Sequence, residues 1–171
     1  MRFATIKHDD IANAPGLSVS FYTQGCPHRC KGCFNPSTWD YNGGKEFTPV
    51  EMQDIINGLN KHNIPHSFCI LGGEPLCPQN LEVTKYVIEK VKAISPFTSI
   101  YIWSGYLYEE LILRQNDETI YILSKIDYLI DGPYIQEQRD LSLKMRGSRN
   151  QRVIDMRKTR KASKVILMEG T

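Results

Sequence analysis

The sequence predicts an α/β fold, a mostly parallel sheet bent into a single-domain, partial (open) TIM-like βα barrel. Three observations lead there. Strand-like and helix-like segments alternate along the chain, the pattern of a parallel sheet with crossover helices. The unusual motifs fall where predicted strands end, the edge on which a parallel barrel carries its site. The 171 residues fall short of the ~250 of a complete eight-fold barrel, so one side is expected to stay open.

Residues 2–7 and 17–22 alternate, or concentrate β-branched and aromatic side chains, and read as strands. Thr48-Pro49-Val50-Glu51 is a capping box with proline at the first helical position. The helix it opens sets Met52, Ile55, Ile56 and Leu59 on one face. Residues 66–71 form the next strand, broken by Gly72-Gly73-Glu74-Pro75. An amphipathic helix then runs from Leu81 through Ile94 and stops before Pro96. Residues 99–103 read as a strand ending at Ser104-Gly105. Residues 108–114 and 118–125 read as helices, and 127–130 as a short strand ending at Asp131-Gly132-Pro133. Residues 152–156 and 164–168 are expected as late strands. No repeat, linker or low-complexity segment interrupts the chain.

Hydrophobic residues make up 41% and charged residues 23%, which excludes a disordered tail, a collagen-like chain and a coiled-coil rod. No run approaches the ~18 apolar residues of a membrane span, and the N-terminus lacks the features of a secretory signal. A cytoplasmic protein with no membrane partner is expected. Charge is uneven: residues 1–138 hold 11 Lys/Arg against 16 Asp/Glu, whereas 139–171 hold 10 against 3. The basic segment is either a solvated face of the domain or a docking extension for an acidic partner. It lacks the interleaved aromatics of a nucleic-acid surface.

The cysteines carry the chemistry. Five are present, at 26, 30, 33, 69 and 77, an odd and clustered set unlike a disulfide framework. Cys26, Cys30 and Cys33 form C-x3-C-x2-C, a pattern expected about 0.004 times in a shuffled chain of this composition. Zinc in a structural site wants four protein ligands; His28 is a candidate fourth but lies inside the first spacer, and neither Cys69 nor Cys77 belongs to a second C-x2-C that would close the site. An iron–sulfur cube normally takes four cysteines. Three in one loop would leave one iron open, so the spacing suggests a catalytic cluster. Cys69, inside a strand, and Cys77 read as core or spectator thiols. His28 and Arg29 read as exposed spacers.

C-x3-C-x2-C resembles the signature of the radical S-adenosylmethionine (SAM) enzymes, and Gly72-Gly73-Glu74 resembles their GGE motif. The common pattern has an aromatic just before the third cysteine; here Gly32 holds that place and Phe34 follows. The form C-P-x-x-C-x-G-C-x-N from Cys26 to Asn35 resembles one subfamily, the activases of anaerobic ribonucleoside-triphosphate reductase. So do Asp131-Gly132-Pro133-Tyr134 and the stretch from Arg139 to Arg152. The resemblance runs from about Phe3 to Asp155.

That resemblance implies a radical-SAM-type partial barrel and a [4Fe-4S] cluster on Cys26, Cys30 and Cys33 with its fourth iron open to SAM. It implies SAM contacts from Gly32, Phe34, Gly72, Gly73, Glu74 and Ser104, and partner contacts from Asp131, Arg146, Arg149 and Arg152. The implied activity is reductive cleavage of SAM to a 5′-deoxyadenosyl radical, which takes hydrogen from a glycine of the reductase. The implied partners are the reductase large subunit and a low-potential electron donor such as flavodoxin. No side chain is required as general acid or base. Each motif also has a plainer reading: Gly-Gly and Asp-Gly-Pro as turns, and Trp103-Ser104-Gly105-Tyr106 as a strand end with packed aromatics. Two other functions fit parts of the pattern. One is activation of a different glycyl-radical enzyme of the formate-lyase type. The other is a zinc-binding nucleic-acid adaptor.

Overall fold

The computed structural model describes residues 1–171. Seven strands form one sheet. They are β1 (Arg2–Asp10), β2 (Ser18–Thr23), β3 (Lys45–Glu46), β4 (Ser67–Gly72), β5 (Ile100–Trp103), β6 (Tyr128–Asp131) and β7 (Arg152–Asp155). Their order across the sheet is β3-β1-β2-β4-β5-β6-β7. Five helices accompany them: α1 (Pro49–Leu59), α2 (Leu81–Ile94), α3 (Tyr108–Leu113), α4 (Asp117–Lys125) and α5 (Met156–Ala162). No helix is long and apolar enough to cross a membrane.

The four central strands β2, β4, β5 and β6 are parallel. Each is joined to the next through helix: α1, then α2, then α3 with α4, as parallel neighbours require. The flanks differ. β1 pairs antiparallel with β2 because the chain between them, residues 11–17, is too short for a crossover. β3 pairs antiparallel with β1, and β7 antiparallel with β6. The β6–β7 connection carries only a 3-10 turn at Gln136–Gln138, so the chain returns along the edge.

The expected radical-SAM-type partial barrel is therefore corrected to an open, mixed sheet. A barrel would need further βα units in the same sense to carry the curl onward. Here both edges end in antiparallel strands and the order does not close. Residues 164–168, expected as a strand, make only a bridge from Leu167 to Ile154.

Alternation along the strands sorts side chains to two faces. Val19, Phe21, Phe68, Ile70, Ile100, Ile102, Leu129 and Ile154 point to one face, where all five helices complete a single apolar cluster. Met52, Ile55, Ile56 and Leu59 of α1 face it as the helical spacing predicts. The α1 N-terminus is closed by the capping box: Val50 N donates to Thr48 Oγ1 and Thr48 N to Glu51 Oε2. Such a cap contributes about 0.5–2 kcal/mol. On the other face Tyr22, Cys69, Leu71, Tyr101, Ile130 and Val153 form a smaller cluster. No helix covers it. Met145 and Met168, from the segment after β6 and from the C-terminal stretch, pack there instead, and beside them the sheet is hollow.

Candidate functional site

Parallel strands bring their C-terminal ends to one edge, and four loops meet there. The loop after β2 carries the three cysteines. The loop after β4 carries Gly73-Glu74, that after β5 carries Ser104-Gly105, and that after β6 begins the segment 132–151. Together they bound a cavity of about 510 Å³ lined by Cys26, Cys30, Cys33, Glu74, Ser104 and Arg146 among others. Phe34, Gly72 and Gly73 also line it.

The loops are stitched by backbone. Gly73 N donates to Thr23 O at 2.9 Å and Glu74 N to Gly25 O at 2.9 Å. A Cβ on Gly73 would sit 2.4 Å from Gly25 O, so only glycine lets the β4 exit cross the cysteine loop. Asn80, 4% exposed, reinforces the crossing: its Nδ2 donates to Gly25 O and Glu74 O. Sequence reading did not single out Asn80. Its signal was its place just before α2, where its side chain forgoes the usual N-cap bond.

All three site cysteines are free and half-buried. Burial pushes the Cys26 thiol up to about 11 and also raises Cys30. Backbone N–H groups oppose this: those of His28 and Arg29 at Cys26, and that of Tyr134 at Cys30. Asn35 N donates to Cys33 Sγ at 3.3 Å. N–H donors aimed at sulfur favour thiolate and tune a bound cluster. Nowhere are three or more His, Cys, Asp or Glu side chains gathered tightly enough for a single metal ion. A four-iron cube asks less, since each thiolate takes its own iron. The two remaining cysteines stay out of the cavity. Cys69 is fully buried with its thiol pushed up to about 12 by burial. Cys77, equally buried, meets the Tyr41 hydroxyl. The donor set thus fits a cube held by three cysteines.

Glu74 is 1% exposed and is met by four donors. Leu76 N and Ser104 Oγ donate to Oε1, each at 2.9 Å. Gly105 N donates to Oε2 at 2.7 Å and His28 Nε2 to the same oxygen at 3.0 Å. His28 is therefore not an exposed spacer. Its ring turns inward from the cysteine loop and meets Tyr106 edge-on at 4.4 Å, while the Arg114 guanidinium stacks on that tyrosine at 3.9 Å. The contact joins residues 46 apart in sequence, and no local pattern announces it.

The other expected residues divide between the cavity and the surrounding structure. Gly32 has a left-handed φ of +71° and faces Gln136, whose side chain would meet a Cβ at 2.8 Å. Phe34 stacks obliquely on Tyr134 at 5.1 Å. Asp131 is fully buried and lies off the cavity. It accepts Tyr108 N at 2.8 Å and Arg152 Nε at 2.9 Å, and Arg152 also holds Glu109. This pair ties β6, β7 and α3 together. Arg149 is exposed and pairs with Asp140. Arg146 lines the cavity, with NH1 donating to Gln151 O and its buried Nε without a partner.

Residues 12–154 match the family of the 4Fe-4S single cluster domain. The chain is 38% identical to an anaerobic ribonucleoside-triphosphate reductase-activating protein of Escherichia coli over 149 residues, 86% of this chain and 94% of that one. A protein of the same description from Haemophilus influenzae is 41% identical over 143 residues, 83% and 90% of the two chains. One from Enterobacteria phage T4 is 35% identical over 155 residues, 90% and 93%.

Proposed function

Because this chain belongs to the family of anaerobic ribonucleoside-triphosphate reductase-activating proteins, we propose that it activates that reductase by radical chemistry in the cavity at the sheet edge. The observation that carries the proposal is the meeting of Cys26, Cys30 and Cys33 with Glu74 in one hollow. When bound, the cluster would supply the electron for cleavage of SAM to methionine and a 5′-deoxyadenosyl radical, which would take hydrogen from a glycine of the reductase.

The protein's own residues bind, orient and shield. Cys26, Cys30 and Cys33 would hold the cluster and leave it one site open to SAM. Glu74 offers the amino group a buried carboxylate, which Ser104 and the Gly105 amide hold in place. Gly72 and Gly73 line the cavity with bare backbone, and Phe34 with Tyr134 forms an aromatic wall beside the cysteines. The segment 132–151 roofs the hollow and limits access of water to a reactive species. No group acts as general acid or base.

The reductase large subunit is the partner, and the basic segment from 139 onward is its docking surface, with Arg149 exposed upon it. The same surface suits an acidic low-potential electron donor such as flavodoxin. We take the whole chain as one domain working in the cytoplasm. The test is direct. Anaerobically reconstituted protein, mixed with the reductase, SAM and a reductant, should give a glycyl doublet by electron paramagnetic resonance. A doublet with a formate-lyase-type enzyme but none with the reductase would reassign the partner. Colourless protein with one zinc per chain would end the cluster reading.

A further inference from the structure

The Glu74 carboxylate is saturated in the structure. A carboxylate offers about four lone-pair sites, and four protein donors occupy them. An incoming amino group needs one of these donors to leave. Leu76 N and Gly105 N belong to backbone and cannot turn away. Ser104 Oγ is buried and also accepts Tyr106 N at 3.1 Å, so moving it strands a second group. His28 is the one partner drawn from the cysteine loop, and its side chain retains 19% exposure. Its seat is shaped for it: a Cβ on Gly105 would lie 2.5 Å from His28 Cδ2.

We propose that His28 is a displaceable latch, its imidazole holding in the free protein the Glu74 site that the amino group of SAM takes on binding. The proposal rests on the reading that SAM places its amino group at Glu74. It adds that binding releases the side-chain tie between the cysteine loop and the β4 exit, while the bonds from Glu74 N and Asn80 to Gly25 O remain. It also makes His28 a specificity-determining residue. A ligand with an amino group there replaces the lost hydrogen bond, whereas one without it leaves Glu74 short of a donor.

The experiment uses the full chain, reconstituted without oxygen, with SAM affinity read by equilibrium dialysis and iron content measured alongside. Removing the competitor in His28→Ala should tighten SAM binding by about tenfold, the value of a hydrogen bond to a charged group. His28→Gln, which keeps an N–H donor, should stay within about threefold of the natural protein. A merely structural histidine would give weaker binding in both. Independently, carbethoxylation of His28 located by mass spectrometry should rise when the natural protein is saturated with SAM. Unchanged or weaker affinity in His28→Ala, or a His28 more protected with SAM present, would overturn the latch. Absence of saturable SAM binding in iron-replete natural protein would instead overturn the SAM reading on which the latch stands.

Discussion

The amide of Glu74 donates to the carbonyl of Gly25 at 2.9 Å, and this bond joins the end of β4 to the first residues of the cysteine loop. The crossing is close enough that Gly73 cannot carry a side chain. Gly73→Ala would place its Cβ 2.4 Å from Gly25 O, and the displacement should cost about 1–3 kcal/mol. Thermal melting should show that loss, and SAM affinity should fall with it because Glu74 moves too. A variant with native stability and affinity would mean that the crossing is slack.

Single replacements of Cys26, Cys30 or Cys33 by alanine should remove the visible absorption of the cluster and abolish SAM cleavage. Cys69→Ala should keep both, since that thiol is buried in the sheet away from the cavity. Its effect should be confined to stability, on the order of 1 kcal/mol for the lost packing. Iron analysis and a cleavage assay decide the matter, and a colourless Cys69→Ala would bring that residue into the ligand set.

Glu74→Gln keeps the shape but presents an NH2 group to neighbours that are themselves donors. It should destabilise the chain by about 1–3 kcal/mol through unmatched hydrogen bonds. SAM should bind at least about tenfold more weakly, with cluster iron near normal. Undiminished SAM affinity would take Glu74 out of its role.

Arg152 and Arg149 separate a structural from a docking role. Arg152→Ala leaves the fully buried Asp131 without its cation, a change worth about 3–5 kcal/mol. The Arg152 side chain holds the Glu109 carboxyl below its usual range. Stability from that depressed carboxyl is present above its unfolded pKa and is lost as pH falls through the folded value. Melting temperature against pH should therefore have a shallower acid limb in Arg152→Ala. Arg149→Glu should leave stability nearly unchanged and slow association with the reductase by about threefold or more at low salt, a difference that added salt erases. Equal association rates at low salt would remove Arg149 from the docking surface.

Local motifs were legible in the sequence, and long-range geometry was not. The cysteine spacing, the Thr48–Glu51 cap and the strand-end motifs are each written within a few residues, and the parallel core follows from strand–helix alternation. The barrel expectation fails at the flanks because strand direction depends on what the connection contains. Residues 11–17 are too few for a crossover, and 132–151 hold no apolar helical stripe, so both links turn the chain back instead of building a barrel. Helix α5 went unread because Met156-Arg157-Lys158-Thr159-Arg160-Lys161-Ala162 shows little amphipathic pattern. Its start was marked only by Asp155, whose side chain accepts Lys158 N. Chain distance hid His28 in the same way: its partner Glu74 belongs to another loop.

The one-sided placement of the helices divides the molecule into a stable half and an adaptable one. Stability resides in the helix-backed layer, while the roof over the hollow has no α-helix and is held by loop contacts, such as Trp103 Nε1 donating to Met145 O, with the Asp131–Arg152 pair at its ends. Such a stretch tolerates exchange more readily than packed helices do. Grafting residues 133–151 from one relative onto another should therefore retarget partner choice without dismantling the chamber beneath.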